Sequence, residues 1–408
     1  MGKLVVLMFT AFVDMVGSSM ILPLVPYYAT RMGANGFLVG VIIAAFSVAQ
    51  LVSAPLWGRF SDRYGRRPAI LLGLLVSGVA YIVFAYAESL GWLLASRFVQ
   101  GLGAGTVGVL QAYVADAMHE EDRAKSLGWL SAATSFGVVI GPAFSSFLVA
   151  TAGHSAPGIG AAVLCVAISI FAWLYLRESH EHSPDAERTS LAPSAGRAAL
   201  VRVLSHSAEP APRLIWIYAV AIGAFYGTGQ LLPLILAARF GITEKTVGWF
   251  FMYFGLMGVV IRALLLGPVV RWWREPRVAR TGIVLLAIGL GLAGVASSYL
   301  SLFLAFTLMP FGTAFLFPCV TALLSRVVPA AERGLQMGVQ QTYGGVSRVA
   351  FPIVAGAVVD RFGPGVPFIG AGVLVLCTLL MTASLEEYLR PATAEHATVS
   401  REPRRVTR

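Results

Sequence analysis

Twelve long apolar runs decide what this chain can fold into. Each has about 20 residues, the length that an α-helix needs to cross roughly 30 Å of hydrocarbon. We number them span 1 to span 12, and they cover residues 4–26, 37–57, 68–87, 92–115, 126–150, 157–177, 212–236, 246–270, 280–298, 301–325, 334–360 and 366–386. Charged residues make up 12% of the chain, roughly half the share in a water-soluble protein. The sequence predicts an all-α membrane protein with twelve transmembrane helices.

The basic residues predict how these helices are oriented. Most of the 30 Lys and Arg residues lie in the termini and in the loops that follow even-numbered spans. The loops on the other side carry Arg31, Arg239, Lys245 and Arg361. The positive-inside rule therefore predicts a plasma (inner) membrane protein with both termini in the cytoplasm. The net charge of +10 is scattered over short loops beside lipid headgroups, which argues against nucleic-acid binding.

The cysteines and histidines argue against an enzyme. Cys165, Cys319 and Cys377 lie in three different spans without metal-ligand spacing, and all six histidines lie in loops or tails. An intramembrane enzyme with Ser-His chemistry or a metal site would need imidazole inside a span. We therefore expect no catalytic activity, no metal ion, no cofactor and no disulfide.

The loop between spans 2 and 3 carries the most specific motif of the chain. It reads Gly58-Arg59-Phe60-Ser61-Asp62-Arg63-Tyr64-Gly65-Arg66-Arg67. The order is Gly, three residues, Asp, a basic residue, one residue, Gly and two basic residues. This order marks the major facilitator superfamily of secondary transporters, which the whole chain resembles.

The resemblance implies that this hairpin gates the transporter rather than binding its substrate. We expect Asp62 to lie at the positive N-terminal end of span 11, near Gly334, and Arg66 to pair with Asp116 at the inner end of span 4. A cluster of charges that only sets the topology is the alternative. The second copy of the hairpin has Arg271 where the first has Asp62, so this lock would be one-sided.

The two halves of the chain repeat each other. At offsets of about 210 residues, Gly17 and Pro23 recur as Gly227 and Pro233, Val39-Gly40 recurs as Val247-Gly248, and Asp122-Arg123 recurs as Glu332-Arg333. Duplicated bundles are typical of secondary transporters. The sequence predicts two pseudo-symmetric six-helix bundles, residues 1–177 and 212–386. A proline-containing cytoplasmic linker, 178–211, joins them, and a cytoplasmic tail, 387–408, follows.

Span 5 resembles the drug:H+ antiporter branch of that superfamily, which includes tetracycline and multidrug exporters. It carries Gly128, then Gly137, then Gly141-Pro142, and it has Ser145-Ser146 where the family usually ends the motif with two glycines. Small residues let helix backbones approach closely in lipid, and a proline frees a carbonyl group. Ordinary small-residue packing is the alternative interpretation.

Asp14 is the one carboxylate that lies far from the end of a span. It follows Leu4 by ten residues, which puts it roughly 15 Å deep at 1.5 Å per residue. A buried acid that gains and loses a proton as its surroundings change is what a proton-coupled carrier requires. In the family, spans 1, 4, 7 and 10 line a central cavity, so we expect Asp14 and Arg97 of span 4 to face each other as the proton-coupling pair. A static ion pair is the alternative.

The predicted substrate cavity collects polar and aromatic residues from several spans. They are Gln100, Gln111, Phe225, Tyr226, Gln230, Arg262, Phe311, Phe315, Gln341 and Arg348. Three buried arginines, the third being Arg97, against one aspartate favour anionic, zwitterionic or neutral substrates. Tetracycline exporters commonly carry Gln at the position of Arg262. Snorkelling by Arg262, bracing by Arg348 and core packing of the aromatic residues are the alternatives.

The sequence therefore predicts a monomeric proton-coupled transporter that exports small amphipathic organic compounds, such as a drug or a secondary metabolite, by alternating access. Its expected partners are the substrate, protons and membrane lipids. A uniporter, an organic-anion/proton symporter or a lysolipid flippase would share the fold and most of the motifs. A non-transporting membrane receptor or scaffold is the alternative of a different class.

Overall fold

The structure is a computed structural model that describes residues 2–179 and 193–382. Within these ranges the chain is helical and contains no β-strand. Three predicted segments lie outside the described residues: residues 180–192 of the linker, 383–386 of span 12 and the tail 387–408.

The helices follow the predicted spans, with some spans broken into pieces. In the first half they are Lys3–Ile21, Leu22–Leu24 and Val25–Arg31 (span 1), Gly36–Tyr64 (span 2), Arg66–Ala85 (span 3), Leu90–Gly103, Ala104–Thr106 and Val107–Ala117 (span 4), Glu120–Ala152 (span 5) and Ala156–Tyr175 (span 6). In the second half they are Pro210–Gly229 and Leu232–Phe240 (span 7), Val247–Val260, Ile261–Leu265 and Leu266–Val295 (spans 8 and 9), Tyr299–Val327 (span 10), Ala330–Glu332 and Arg333–Phe362 (span 11), and Val366–Cys377 and Thr378–Thr382 (span 12).

The helices that are long and apolar enough to cross a membrane number nine within the described ranges, or ten when the two pieces of span 7, bent by 41°, are joined. One of them, Val247–Val295, is 49 residues long and is broken at Arg274, whose φ of 61° and ψ of 157° are not helical. This break separates spans 8 and 9. Span 12 is the shorter apolar helix Val366–Thr382. Each predicted span therefore corresponds to a helix.

The repeated prolines mark equivalent breaks in the two halves. Pro23 lies in the 3-10 turn Leu22–Leu24 of span 1, and Pro233 opens the second piece of span 7. A proline lacks the backbone N–H and crowds the preceding turn, so it interrupts a helix at a fixed place. The prolines of the internal duplication thus lie at helix breaks in both span 1 and span 7.

The buried apolar side chains divide into clusters that follow the two halves. One large cluster joins spans 7 to 12 and includes Ile283 and Phe368. Two further clusters lie within spans 1 to 6, and one of them also takes in Leu231 and Ala355 of the second half. We call the side of the molecule that carries the loop between spans 2 and 3 the hairpin side, and the other side the opposite side.

Part of the predicted linker is a helix packed on the second bundle. This helix is Pro193–Ser205. Its Val203 is only 1% exposed and belongs to the core of that bundle. The indole Nε1 of Trp216 donates to the carbonyl of Val203 at 3.1 Å, and the hydroxyl of Tyr343 donates to that of Leu200 at 2.9 Å. The prediction of a purely polar linker missed this apolar face.

Spans 1 and 5 touch at the small residues of the span 5 motif. A Cβ at Gly137 would lie under 3.0 Å from the carbonyl oxygen of Phe12, and a Cβ at Gly141 would meet Val16 equally closely. The hydroxyl of Ser19 donates to the carbonyl of Gly137 at 3.1 Å. No neighbour lies within 4 Å of the Cβ position at Gly128. The motif is therefore a close backbone contact at Gly137 and Gly141, but not at Gly128.

We expect Gly137→Ala to lower the melting temperature of the purified protein, because the added methyl group overpacks a backbone contact at a cost of about 1–3 kcal/mol. Gly128→Ala is the matched control in the same helix, and there alanine should be neutral or stabilising because of its higher helix propensity. Thermal unfolding in detergent measures both. An unchanged or higher melting temperature for Gly137→Ala would contradict this contact.

Candidate transport cavity and the contacts that close it

A cavity of about 810 Å³ lies between the two halves. Spans 1, 4 and 5 of the first half and spans 7, 8 and 10 of the second half provide its walls. Five of the ten predicted cavity residues line it: Gln111, Phe225, Tyr226, Gln230 and Arg262. A volume of this size accommodates a drug-sized molecule.

The other five predicted cavity residues lie elsewhere. Phe315 is buried in the core of the second bundle, and Phe311 packs against that core. The amide of Gln341 donates to the hydroxyl of Tyr218 at 3.4 Å, and the guanidinium of Arg348 lies 6.0 Å from the ring centre of Tyr226. Gln100 is buried within the first bundle. A helix stripe predicts the inward face of a span, but it does not separate the cavity from the bundle core.

The second half supplies an aromatic wall. Phe225 stacks on Phe254 with ring centres 5.6 Å apart and planes at 19°. Tyr226 packs edge-on against Phe225 at 5.1 Å, and Phe306 packs edge-on against Phe254 at 5.9 Å. Flat, apolar and firmly packed rings of this kind suit a planar organic molecule.

Asp14 is buried beside the cavity wall but does not line it. Its side chain is part of a residue only 6% exposed, and it makes no hydrogen bond or ion pair with any described residue. Tyr81 and Cys165 lie within the range of electrostatic interaction with the Asp14 carboxyl group. Met15 and Ser19, which lie one turn apart on another face of the same helix, do line the cavity. Asp14 is therefore an unpaired buried acid on a helix that also contacts the cavity.

The predicted pair of Asp14 and Arg97 is not formed in this structure. Arg97 is 1% exposed. Its guanidinium donates to the Gln100 amide oxygen and lies 4.8 Å from the ring centre of Phe46. Gln100 in turn donates to the hydroxyl of Tyr81 at 3.2 Å. Arg97 is therefore engaged by Gln100 and Phe46 rather than by Asp14.

The hairpin between spans 2 and 3 is held by charge pairs within the first half. Arg66 donates through Nε to Asp116 at 2.8 Å and through NH1 to Asp62 at 2.5 Å. Asp62 is therefore engaged by Arg66 rather than by the start of span 11. No atom lies within 4 Å of the Cβ position of Gly334 or of Gly58.

Glu178, which the sequence analysis did not single out, completes this hairpin. Its two carboxylate oxygens accept the backbone N–H groups of Arg66 and Arg67 at 2.9 and 3.1 Å. A carboxylate at a helix N-terminus is stabilising. Gly65 precedes this helix with a φ of 103°, a conformation that favours glycine. The acid just after span 6 is the signal that would have found this cap.

The remaining basic residues of the motif make local contacts. Arg67 donates to the carbonyl of Trp173 in span 6. The guanidinium of Arg63 lies 5.4 Å from the ring centre of Tyr64. The contacts of Arg67 with Trp173 and of Glu178 with the start of span 3 attach the hairpin to span 6 of its own bundle.

Spans 2 and 11 join the two halves at the opposite side. The carboxylate of Asp360 accepts the backbone N–H groups of Gly36 and Phe37 at 2.6 and 2.9 Å, which caps the start of span 2. One turn further, a Cβ at Gly40 would lie under 3.0 Å from the carbonyl oxygen of Pro352. The backbones of the two spans are therefore in direct contact here.

Spans 5 and 8 repeat this junction by internal symmetry. A Cβ at Gly248 would lie under 3.0 Å from the carbonyl oxygen of Pro142. The hydroxyl of Ser146 donates to the carbonyl of Glu244 at 2.8 Å and accepts the N–H of Gly248 at 2.8 Å. The recurring Val-Gly pairs of the sequence thus lie at two of the places where the backbones of the halves are in contact, and Ser146, where the family has glycine, bridges one of them.

A charge cluster around Glu244 covers these junctions on the opposite side. Glu244 Oε1 lies 2.5 Å from Arg31 and 3.3 Å from His154 Nδ1, and Tyr27 donates to the carbonyl of Ile242 at 2.8 Å. Burial acts to raise the pKa of Glu244. The hydrogen bonds from its own backbone and from Arg31, with the nearby positive charge, outweigh that effect and lower the pKa below its ordinary value.

The halves therefore touch at the opposite side and separate towards the hairpin side. Close contacts between spans 2 and 11 extend from the start of span 2 to Gly345, whose Cβ position is 2.8 Å from Leu51. Further towards the hairpin side, Gly334 and Gly338 face open space. The structure is that of a cavity between two bundles, closed at one end.

Comparison with known proteins identifies the family. The sequence model of the Major Facilitator Superfamily matches residues 7–352 of this chain, with a second match over residues 214–406. The chain therefore belongs to the Major Facilitator Superfamily and is a multi-pass membrane transporter of that family. This confirms the resemblance read from the motifs, and it confirms a transporter rather than an enzyme.

The relatives include drug exporters. Multidrug resistance protein 2 of Bacillus subtilis (strain 168) is 28% identical over 395 residues, which cover 96% of each chain. Tetracycline resistance protein, class C, of Escherichia coli is 28% identical over 370 residues, 88% of this chain and 89% of its own. Among solved structures, the human organic anion transporter MFSD10 (TETRAN) matches with a TM-score of 0.67 and 24% identity, covering 93% of this chain and 98% of that chain. The likeness to the MFSD10 structure shows that the two chains share a fold.

We expect Glu244→Gln to widen the opposite side, because it removes the charge that pairs with Arg31 and His154 across the two halves. Distances between spin labels on the loops before span 2 and after span 11 measure the effect. Glu209→Gln is the matched control, since it breaks an ion pair with Arg202 that does not join the halves. An unchanged distance distribution in Glu244→Gln, or the same change in the control, would contradict this role.

The same labels test the pH dependence of this closure. Because the pKa of Glu244 is lowered in the closed structure, the closure it supports is fully present above the ordinary glutamate value of 4.5 and is lost as the pH falls through the lowered value. We therefore expect the wild-type opposite side to open below pH 4.5, while Glu244→Gln lacks this transition. A midpoint above 4.5 would contradict the assignment to Glu244.

Proposed function

We propose that this protein is a proton-coupled exporter of small amphipathic organic compounds. The observation that carries the proposal is Asp14, an unpaired acid buried in the first bundle on the helix that also presents Met15 and Ser19 to the cavity. An ionised carboxylate in that position is costly and a protonated one is not. A proton therefore stabilises one arrangement of span 1 over another.

The two ends of the cavity support alternating access. The opposite side is closed by contacts between spans 2 and 11 and between spans 5 and 8, and the hairpin side is apart. With both termini and the basic hairpins in the cytoplasm of a plasma (inner) membrane, the substrate enters from the cytoplasm. Opening at the opposite side then breaks the contacts of Asp360 and Glu244 and releases the substrate.

The hairpin motif has a place in this cycle. Asp62 is paired with Arg66 while the hairpin side is open, and we propose that it turns to the start of span 11, near Gly334, when that side closes. The carboxylate would then cap the positive end of the helix. The names of the relatives, which refer to multidrug and tetracycline resistance, support export of drug-like compounds, and we propose that the protein acts as a monomer.

Reconstituted protein tests the proposal directly. Proteoliposomes with an imposed pH gradient should accumulate a drug-like compound against its own gradient, and collapse of the pH gradient with a protonophore should stop this accumulation. Equilibration to equal concentrations, regardless of the pH gradient, would instead identify a uniporter. Binding without any flux would identify a receptor.

We expect Asp14→Asn to abolish uphill transport while binding and downhill exchange persist, because the amide keeps the size of the side chain but cannot carry the proton. Asp122→Asn is the matched control: it removes a carboxylate from the exposed first turn of span 5. Accumulation under a pH gradient measures both variants. Uphill transport at the wild-type rate in Asp14→Asn would remove the proton-carrying role.

A further inference from the structure

The transport cavity contains a single charged side chain, and its sign points to a class of substrate. Among the described residues that line the cavity, Arg262 alone carries a charge, and none is Asp or Glu. Asp14 is buried in the first bundle and is not part of this wall. Among the described residues, Arg262 is therefore the charged side chain that a ligand in the cavity would contact.

Arg262 is placed by an irregular turn of span 8. Ile261–Leu265 forms a π-helical turn between Val247–Val260 and Leu266–Val295. Single π turns of this kind occur mostly at functional sites. Phe251, Gly255 and Val259 line the cavity at steps of four residues, and Arg262 continues their face after a step of three. The turn thus ends an apolar wall with one cation.

No contact with the rest of the protein accounts for the presence of Arg262. The guanidinium of Arg262 makes no hydrogen bond, ion pair or ring contact with any described residue, although Arg97 donates to Gln100 and Arg348 lies against Tyr226. Bracing of helices is therefore not its role, and its exposed side chain lies in the cavity wall. Its planar fork of donors matches a carboxylate in two parallel hydrogen bonds.

The aromatic wall lies at a distance from the Arg262 guanidinium that one organic molecule can span. Eight residues separate Phe254 from Arg262, which corresponds to roughly 12 Å along a helix. Between the two halves, the side-chain oxygen of Gln230 is buried without a hydrogen-bond partner, although the residue lines the cavity. The cavity thus offers an aromatic surface, an unused amide atom and a cation in one space.

We infer that the cavity selects amphipathic organic anions, with a planar apolar part packed on Phe225 and Phe254 and a carboxylate paired with Arg262. This inference rests on the proposed function, because it takes the cavity as the transport site. Arg262 is the specificity-determining residue in this arrangement. Lipophilic cations are disfavoured, since no acidic residue of the cavity wall balances their charge.

Three matched probes test the inference. They share a 2-naphthyl ring and a four-carbon chain and end in a carboxylate, a primary amide or an ammonium group. Their binding to purified protein in detergent at pH 7.5 is measured by calorimetry for the wild type, Arg262→Gln, Arg262→Lys and Arg271→Gln. Arg271 is an exposed arginine just after span 8 that does not line the cavity, so its variant controls for loss of charge alone.

The wild type should bind the carboxylate most tightly. Arg262→Gln should weaken binding of the carboxylate roughly 10- to 100-fold, the range expected for a charge-assisted hydrogen bond. Binding of the amide should stay within about 2-fold, and the ammonium compound should bind equally or better. Arg262→Lys keeps the charge but not the fork, so the carboxylate should lose less than in Arg262→Gln. Arg271→Gln should behave as the wild type.

Several outcomes would overturn the inference. They are equal losses for all three probes in Arg262→Gln, the same carboxylate-specific loss in Arg271→Gln, and a wild type that prefers the ammonium probe. Unchanged binding of the amide shows that the variant protein is folded. Because no pH gradient is used, the result is separate from the proposed function: selective anion binding without uphill transport would refute proton coupling alone, and uphill transport of cations would refute anion selectivity alone.

Discussion

The architecture of this transporter depends on points where helix backbones of different halves touch without intervening side chains, and two of them recur in both halves. Gly40 meets the carbonyl of Pro352, and Gly248 meets that of Pro142. In lipid, apolar side chains gain little by leaving the solvent, so helices associate through close packing and interhelical hydrogen bonds. Both glycines and both prolines lie at the opposite side, and the halves diverge from there. The cavity exists because contact is concentrated at one end.

The sequence predicted the spans and their duplication because each rests on local information. Twenty apolar residues fix a helix in a membrane, and a repeated proline fixes a bend wherever it occurs. The arrangement of Asp14 and Arg97 was not predictable in the same way. Gln100, one turn from Arg97, and Phe46 of another span surround the guanidinium, and their positions depend on how spans 2 to 4 rotate and tilt against one another.

Residues that act across long sequence distances were also missed. Glu178, Glu244 and Asp360 lie at or just beyond helix ends. In a sequence, a charged residue at such a position indicates only where a span ends. Each proves to serve another element: Asp360 caps a helix more than 300 residues earlier in the chain, and Glu178 caps span 3. For Asp360 and Glu178 the partner is a backbone N–H group, which every residue carries, so no side-chain pattern announces it. Asp62 adds a different limit, since in this structure it pairs with Arg66, and its contact near Gly334 stays a prediction.

The acid and the cavity cation occupy separate places, and this separation bears on how proton and substrate communicate. Asp14 is buried in the first bundle and does not line the cavity, whereas Arg262 lies in the cavity wall. A proton and an organic anion therefore do not compete for one group, and under the proposed function their coupling has to pass through a moving element. Span 1 meets that requirement. It carries Asp14 on one face and Ser19 on another, and Ser19 lines the cavity while donating to the carbonyl of Gly137 in span 5. Span 5 continues to Pro142 and the junction with span 8. Under the proposed function, a shift of span 1 on protonation would reach the contact that closes the opposite side through this chain of packed helices.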